Sequence, residues 1–211
     1  MNKAQKTKEH ILNQAFKLFL QKSYKEVTME ELQASTGLSR GGLYHHFNKR
    51  GAKYKGKEAI FQATVERFFF SMAEEPLNLE EMQQRGFLEN FQAYLNHKQS
   101  LMDNMLKSTG LEELDSNYFM LMLQSVQYFP EMREKIREQV VQETKNWSKV
   151  IELAQKQGEI RKDLDAAILA QHIYYLLDGL EMHLVMMGNI NEEVYKEITT
   201  MISQLYDLIK Q

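Results

Sequence analysis

Residues 36–58 read TGLSRGGLYHHFNKRGAKYKGKE, with six Lys/Arg and a single acid at the end. Two readings compete for this stretch. Its second half, Gly51-Ala52-Lys53-Tyr54-Lys55-Gly56-Lys57, fits G-x-x-x-x-G-K, the frame of a phosphate-cradling loop. That chemistry also needs a Ser or Thr next, to hold magnesium, and a β-strand feeding the loop. Here Glu58 follows, and its charge would repel phosphate. No strand-like alternation precedes it. The first half sits in a better context. Thr28-Met29-Glu30-Glu31 is a capping box that opens a short helix, and Gly37 suits the left-handed turn that ends it. Ser39 then caps a second short helix running through His46. A capped helix, a glycine turn and a second short helix make a helix-turn-helix.

The composition of that second helix fits a DNA reader. Gly41 and Gly42 each cost a helix about 1 kcal/mol relative to Ala. They also leave backbone bare, so that a phosphate or base edge can come close. Arg40 can donate to guanine or to phosphate. Tyr44 and His45 can reach bases or thymine methyls, and His46 can donate to a phosphate. Leu43 and Phe47, four residues apart, should face inward.

The rest of the chain supports the same division of labour. Of 211 residues, 43% are hydrophobic and 26% charged, with a formal net charge of -3. Residues 1–57 hold twelve Lys/Arg against four Asp/Glu, whereas residues 58–211 hold fourteen against twenty-five. A basic head for a polyanion, joined to an acidic body, follows from that asymmetry. There is no cysteine, which removes disulfides, thiolate nucleophiles and cysteine-bound metals. The N-terminus lacks the apolar run of a signal peptide. The most apolar segment, Ile168 to Met187, carries Gln171, His172, Asp178, Glu181 and His183, which lipid would not tolerate. We therefore expect a cytoplasmic protein with no membrane span.

Apolar spacing of 3.6 and only two prolines indicate an all-α chain. Helices are expected over about 4–22, 28–36, 39–46, 57–74, 78–97, 100–110, 112–127, from Pro130 to Gly158, from Asp163 or Asp165 to Gly188, and 191–209. Gly86 lies unexplained inside one of them. The expected domains are a three-helix DNA-binding head, 1–57, and a larger helical body for effector binding and dimerisation, 58–211. Helix 57–74 connects them.

The head resembles the TetR family of bacterial transcriptional regulators. The residues that carry the likeness are Ala15-Phe16 and Leu18-Phe19, Val27-Thr28-Met29, Thr36 through Phe47, and Lys57-Glu58-Ala59-Ile60-Phe61. The resemblance implies a homodimer on a palindromic DNA operator, commonly a repressor released by a small effector. It places Thr28 on a phosphate, and Ser39, Arg40, Gly41, Tyr44, His45 and His46 on a recognition helix in the major groove. Lys57 would meet a phosphate from the start of helix four. Thr28 and Ser39 equally serve as caps, and Tyr44 could be a packing residue. Two departures stand out. Gln33 replaces the usual alanine before the turn. Nine residues, Asn48 to Gly56, separate Phe47 from Lys57 where the family has about two. That basic insertion, with Lys49 and Arg50, either grips the DNA backbone or is a solvated loop.

In the body, the segment from Asp165 is apolar nearly all round and the last helix carries a regular apolar stripe. Ile173, Leu177, Leu180, Leu184, Ile198, Met201, Ile202 and Leu205 are the expected dimer seam, burial within one chain being the alternative. Phe91, Tyr94, Met105, Tyr118, Met122, Trp147 and Tyr174 are candidates for an effector cavity, for a small apolar or aromatic ligand, in a region rich in Met and aromatic residues. No cofactor or catalytic site is indicated. His172 and His183 lie eleven residues apart, which gives no metal-binding pair. Two other readings remain: a helical interaction module whose basic head binds an acidic partner, and a nucleotide-binding protein using Gly51–Lys57.

Overall fold

The computed structural model describes residues 2–47, 51–70, 79–187 and 192–211. Among these, the helices are α1 (Lys3–Gln21), α2 (Met29–Thr36), α3 (Arg40–Phe47), α4 (Lys57–Val65), α5 (Leu79–Gln83), α6 (Phe87–Thr109), α7 (Ser116–Tyr128), α8 (Met132–Gln157), α9 (Ala166–Met186) and α10 (Glu192–Ile209). A π-helical turn, Glu66–Phe70, continues α4. The described residues form no strand, only an isolated bridge between Ile160 and Lys210. Lys49 and Arg50, the end of the connector helix and the Gly188 and Asn191 boundaries lie outside the described residues.

Capping explains where the helices of the head begin and end. The Thr28 hydroxyl accepts the Glu31 N–H at 3.2 Å while the Glu31 carboxylate accepts the Thr28 N–H at 2.9 Å. Gly37 closes α2 at φ 70°, its N–H on the Gln33 carbonyl, a left-handed turn that suits glycine. The Ser39 hydroxyl accepts the Gly42 N–H at 3.2 Å and so caps α3. In the body, the Asp165 carboxylate accepts the N–H groups of Ala167 and Ile168 at the start of α9.

The chain forms two compact units, one of Met1–Glu74 with Asn104–Arg133 and one of Glu75–Asp103 with Glu134–Gln211. In the first, Ile11, Leu12, Ala15, Phe16 and Phe19 of α1 are buried together with Leu32, Leu43, Phe47, Ile60, Phe61 and Leu121. Phe16 stacks on Phe68 at 4.0 Å and Phe69 on Tyr118 at 4.4 Å. The second unit has its own core, built by Phe87, Phe91, Leu95, Trp147, Ile151, Ile173, Ile198 and Ile202.

Three element boundaries differ from expectation. The segments expected at 78–97 and 100–110 resolve as a short α5 and one continuous α6. The break falls at Gly86, not near His97. A Cβ on Gly86 would lie 3.0 Å from a Glu159 carboxylate oxygen, and that carboxylate also accepts the Phe87 N–H at 2.8 Å. Gly86 is therefore a site of close approach. Helix α7 starts after Asp115, whose side chain accepts the Asn117 N–H, rather than at Glu112.

The residues of the expected dimer seam lie in the second unit. Ile173, Leu177, Leu184, Ile198 and Ile202 are buried in the second unit's own core, with Leu180 and Leu205 packed against it and Met201 half-buried. Helix α9 is apolar on two faces, and hydrophobicity alone does not say which one turns inward. The outer face carries Ile168, Tyr175, Met182 and Met186, 53%, 59%, 40% and 63% exposed. With His172 and Gly179 they recur at alternating steps of four and three, a coiled-coil spacing. Truncating Ile173 to Ala should lower the unfolding free energy by about 2–5 kcal/mol in urea melts at fixed protein concentration, the cost of a core cavity.

Candidate nucleic-acid interface

Helix α3 is eight residues long and buries two of them, Leu43 and Phe47. That anchorage turns Ser39, Arg40, Gly41 and His45 to solvent, with Tyr44 and His46 half-buried. The Arg40 Nε donates to the Tyr44 hydroxyl at 2.9 Å, and the guanidinium lies 5.5 Å from that ring's centre. This bond uses one of five guanidinium N–H groups and leaves the others for an acceptor outside the chain. His45 and His46 meet edge to face at 5.4 Å.

Gly41 has no internal reason to be glycine. Its φ is not positive, and a Cβ there would meet only the Ser39 hydroxyl oxygen, at 4.0 Å. Alanine would fit and would favour the helix by about 1 kcal/mol. The bare backbone beside Arg40 is a feature of the surface, not of the core.

Thr28 is exposed at the N-terminus of α2, where unpaired N–H groups favour an anion. Its neighbour in the capping box, Glu31, also pairs with the Lys22 ammonium. The Lys22 hydrogen bond is the main cause that lowers the Glu31 carboxyl to a pKa of about 2, with the Thr28 N–H adding to it.

Lys57 takes a different position from the expected one. Its ammonium donates to the carbonyls of Tyr24 and Val27, each at 2.8 Å, and lies 3.4 Å from that of Lys25. Three acceptors match the three N–H groups of an ammonium, so Lys57 holds the α1–α2 loop rather than facing a phosphate. Burial lowers its pKa. The same contacts remove the nucleotide reading of Gly51–Lys57: the lysine that would reach a phosphate faces carbonyls, and no strand among the described residues feeds the loop.

The aromatic and Met candidates for an effector cavity fall in both units. Met105, Tyr118 and Met122 belong to the first unit, whereas Phe91, Tyr94, Trp147 and Tyr174 belong to the second. Tyr118 stacks on Phe69, and Phe91 packs against Trp147 at 5.6 Å, both as core. The second unit does contain a cleft, about 510 Å³ including its open mouth, lined by Tyr94, Leu95, Lys98, Met102, Leu177, Glu181, Leu184, Val194, Tyr195 and Ile198. Of the seven candidates, Tyr94 is the one on this wall. Lys98 and Glu181 pair across the cleft at 3.6 Å. The Tyr94 hydroxyl donates to Glu143 at 3.4 Å, and burial raises its pKa. Tyr94, Leu95, Lys98 and Met102 share one face of α6 at helical spacing. Breaking α6 near His97 hides that face in the sequence.

Among the described residues no group of three or more His, Asp or Glu could hold a metal ion, and no helix is long and apolar enough to cross a membrane.

Comparison with known proteins agrees with this geometry. Residues 11–64 match the family model "Bacterial regulatory proteins, tetR family", and residues 122–199 match "Tetracyclin repressor-like, C-terminal domain". The chain belongs to the TetR family. It is thus a DNA-binding transcriptional regulator, and a helix-turn-helix head with an all-helical body is the family's architecture. Its fold is similar to that of SmeT, the repressor of the Stenotrophomonas maltophilia multidrug efflux pump SmeDEF. That match has 20% identity and TM-score 0.67, over 100% of this chain and 93% of SmeT. E. coli NemR in its reduced form matches at 16% identity and TM-score 0.62, covering 94% and 96% of the two chains. A TetR transcriptional regulator from Chloroflexus aurantiacus matches at 24% and 0.60, covering 97% and 98%.

The Glu31 pKa gives a pH expectation. Because the folded state lowers it, the carboxylate stabilises the fold above the ordinary carboxyl range, and that contribution fades as pH falls from about 4.5 towards 2. NMR titration should place the Glu31 midpoint well below those of other exposed carboxylates, and Lys22→Ala should move it back up.

Proposed function

We propose that this TetR-family chain is a ligand-released repressor that binds a palindromic DNA operator as a homodimer in the bacterial cytoplasm. The observation that carries the reading is the surface of α3. There the bare Gly41 backbone sits between Ser39, Arg40 and His45, all exposed, on a helix fixed by two buried side chains. Nothing inside the fold asks for that glycine, and a base edge or phosphate would. Ser39, Arg40, Gly41, Tyr44, His45 and His46 are the proposed reading residues, with Thr28 at a phosphate. Repression is suggested by SmeT and by NalD, the secondary repressor of the MexAB-OprM efflux pump in Pseudomonas aeruginosa, a similar fold at 16% identity and TM-score 0.53. A small-molecule effector is suggested by the SmeT–triclosan complex, a match at 22% identity and TM-score 0.60 over 84% of this chain and 79% of that one. Here the cleft between α6, α9 and α10 is the proposed effector site. Its apolar walls suit a small apolar or aromatic ligand, with the Lys98–Glu181 pair at hand for a polar group. The ligand releases DNA only if it binds the non-reading conformation more tightly.

The dimer seam proposed is the outer stripe of α9, Ile168, Tyr175, Met182 and Met186. Gly179 lies in the middle, and a Cβ placed there meets nothing within 4 Å. A two-fold dimer of this kind suits a palindromic operator whose half-sites lie roughly 34–36 Å apart, one DNA turn.

Two experiments test the proposal. Duplex selected by the protein from a random library should be palindromic. Arg40→Ala should weaken binding to it by about 1–3 kcal/mol, the worth of one base contact. Gly41→Ala should raise thermal stability yet weaken binding to the selected duplex, and equal affinity would remove α3 from the groove. Introducing Met182→Glu with Met186→Glu should yield monomers in sedimentation equilibrium with helix content retained. A persistent dimer would place the seam elsewhere.

A further inference from the structure

Of the insertion between Phe47 and Lys57, residues Gly51 to Gly56 are described, and they are held at two points. At one end Lys57 is tied to the Tyr24 and Val27 carbonyls. Just before it, Gly56 adopts φ 57° and ψ -131°, a backbone shape open to glycine alone. It lies against the recognition helix: a Cβ built on it would be 3.4 Å from the Tyr44 ring. Two residues earlier, Tyr54 meets Phe129 edge to face at 5.0 Å. Glu131 gathers the rest. It takes the Gln62 amide at 3.0 Å and the Lys53 ammonium at 3.4 Å, and the neighbouring Tyr54 hydroxyl is the first cause that lowers its carboxyl pKa. Phe129 in turn stacks on Phe61 of α4 at 5.3 Å.

A short helix opened by two glycines has little stiffness of its own, so its angle depends on what abuts it. Leu43 and Phe47 hold its inner edge, and residues 51–56 abut it at Tyr44. We propose that Tyr54 and Glu131 are positioning residues for DNA reading. The insertion is a strap from the corner between α7 and α8 to Tyr44, and it fixes the angle of α3 without touching the operator. The Lys53–Glu131 pair alone would add little, because Lys53 is largely exposed and Glu131 is half-buried. The ring contact and the shared carboxylate make the strap a unit. The inference rests on the DNA-reading assignment, but the strap itself is detectable without DNA.

The test uses the full chain with Tyr54→Ala, Glu131→Gln, the pair together, and Tyr54→Phe, which keeps the ring and drops the hydroxyl. Without DNA, amide hydrogen exchange of residues 44–47 should quicken about tenfold in Tyr54→Ala and Glu131→Gln, while residues 11–19 of α1 stay as protected as in the wild type. Tyr54→Phe should fall between, which guards against a Tyr54→Ala variant that fails to fold. With the duplex that the wild type selects from a random library, both single variants should bind about tenfold more weakly. The double variant should bind no worse than the weaker single. Affinity for random duplex and the slope of log affinity against log salt should not change. Unchanged exchange at residues 44–47 in all variants overturns the strap, whatever DNA does. A wild type that selects no duplex overturns the reading in the preceding subsection instead, and the exchange result still decides the strap. Equally, if Lys55→Ala lowers the salt slope by about 0.9 while Tyr54→Ala and Glu131→Gln bind normally, the insertion is a direct phosphate contact and the strap is wrong.

Discussion

The burial of Leu43 and Phe47 is the constraint on which the rest depends. Helix α3 has eight residues, two of them glycines in its first turn, and such a helix is not stable alone in water. Its existence and its direction come from two side chains sunk into the core that α1, α2 and α4 supply. Once they are fixed, helical geometry sends Arg40, Gly41 and His45 the other way. The chain thus spends its apolar contacts on one edge of the helix and leaves the opposite edge to solvent.

The first unit is built to hold that edge still. Its core is unusually aromatic. Tyr24, Phe61 and Phe129 meet within 4.6 to 5.5 Å of one another, and Lys57 covers Tyr24 from above with its ammonium 4.6 Å from the ring centre. Aromatic contacts of this kind are directional as well as apolar, so they fix angles and not only distances. The loop before α2, the start of α4 and the end of α7 converge on this cluster. The insertion joins it through Tyr54. A charge commonly thought of as a DNA contact, the ammonium of Lys57, is spent on closing the same cluster.

The second unit uses a different chemistry. Its core mixes Trp147 and Phe91 with Ile and Leu, and polar groups gather at one cleft. Tyr174 and Tyr195 both have raised pKa values, burial being the first cause, and Asp178 is raised by burial and by Glu181. Lys98 is the cation that offsets these acids. Of these groups Tyr195 lines the cleft itself, with Lys98 and Glu181 beside its apolar walls.

Residue order alone determined the class of fold and the head. Capping boxes, the Gly37 turn and the inward pair Leu43 and Phe47 act over three or four residues, so Thr28, Ser39 and the helix-turn-helix are legible without coordinates. The family likeness rests on the same local features. What tertiary structure decided are matters of which face meets which. Helix α9 is apolar on both sides, and only packing shows that Ile173, Leu177 and Leu184 serve the chain's own core while Ile168, Tyr175 and Met182 face out. Gly86 reads as a flaw until Glu159, seventy-three residues later in the chain, is seen against it. Lys57 reads as a phosphate ligand until carbonyls some thirty residues earlier claim its ammonium. The cleft beside α9 and α10 lies on a face of α6 that exists only because the helix runs on past His97. Local signals report what a segment becomes, and partners distant in sequence report what it is for.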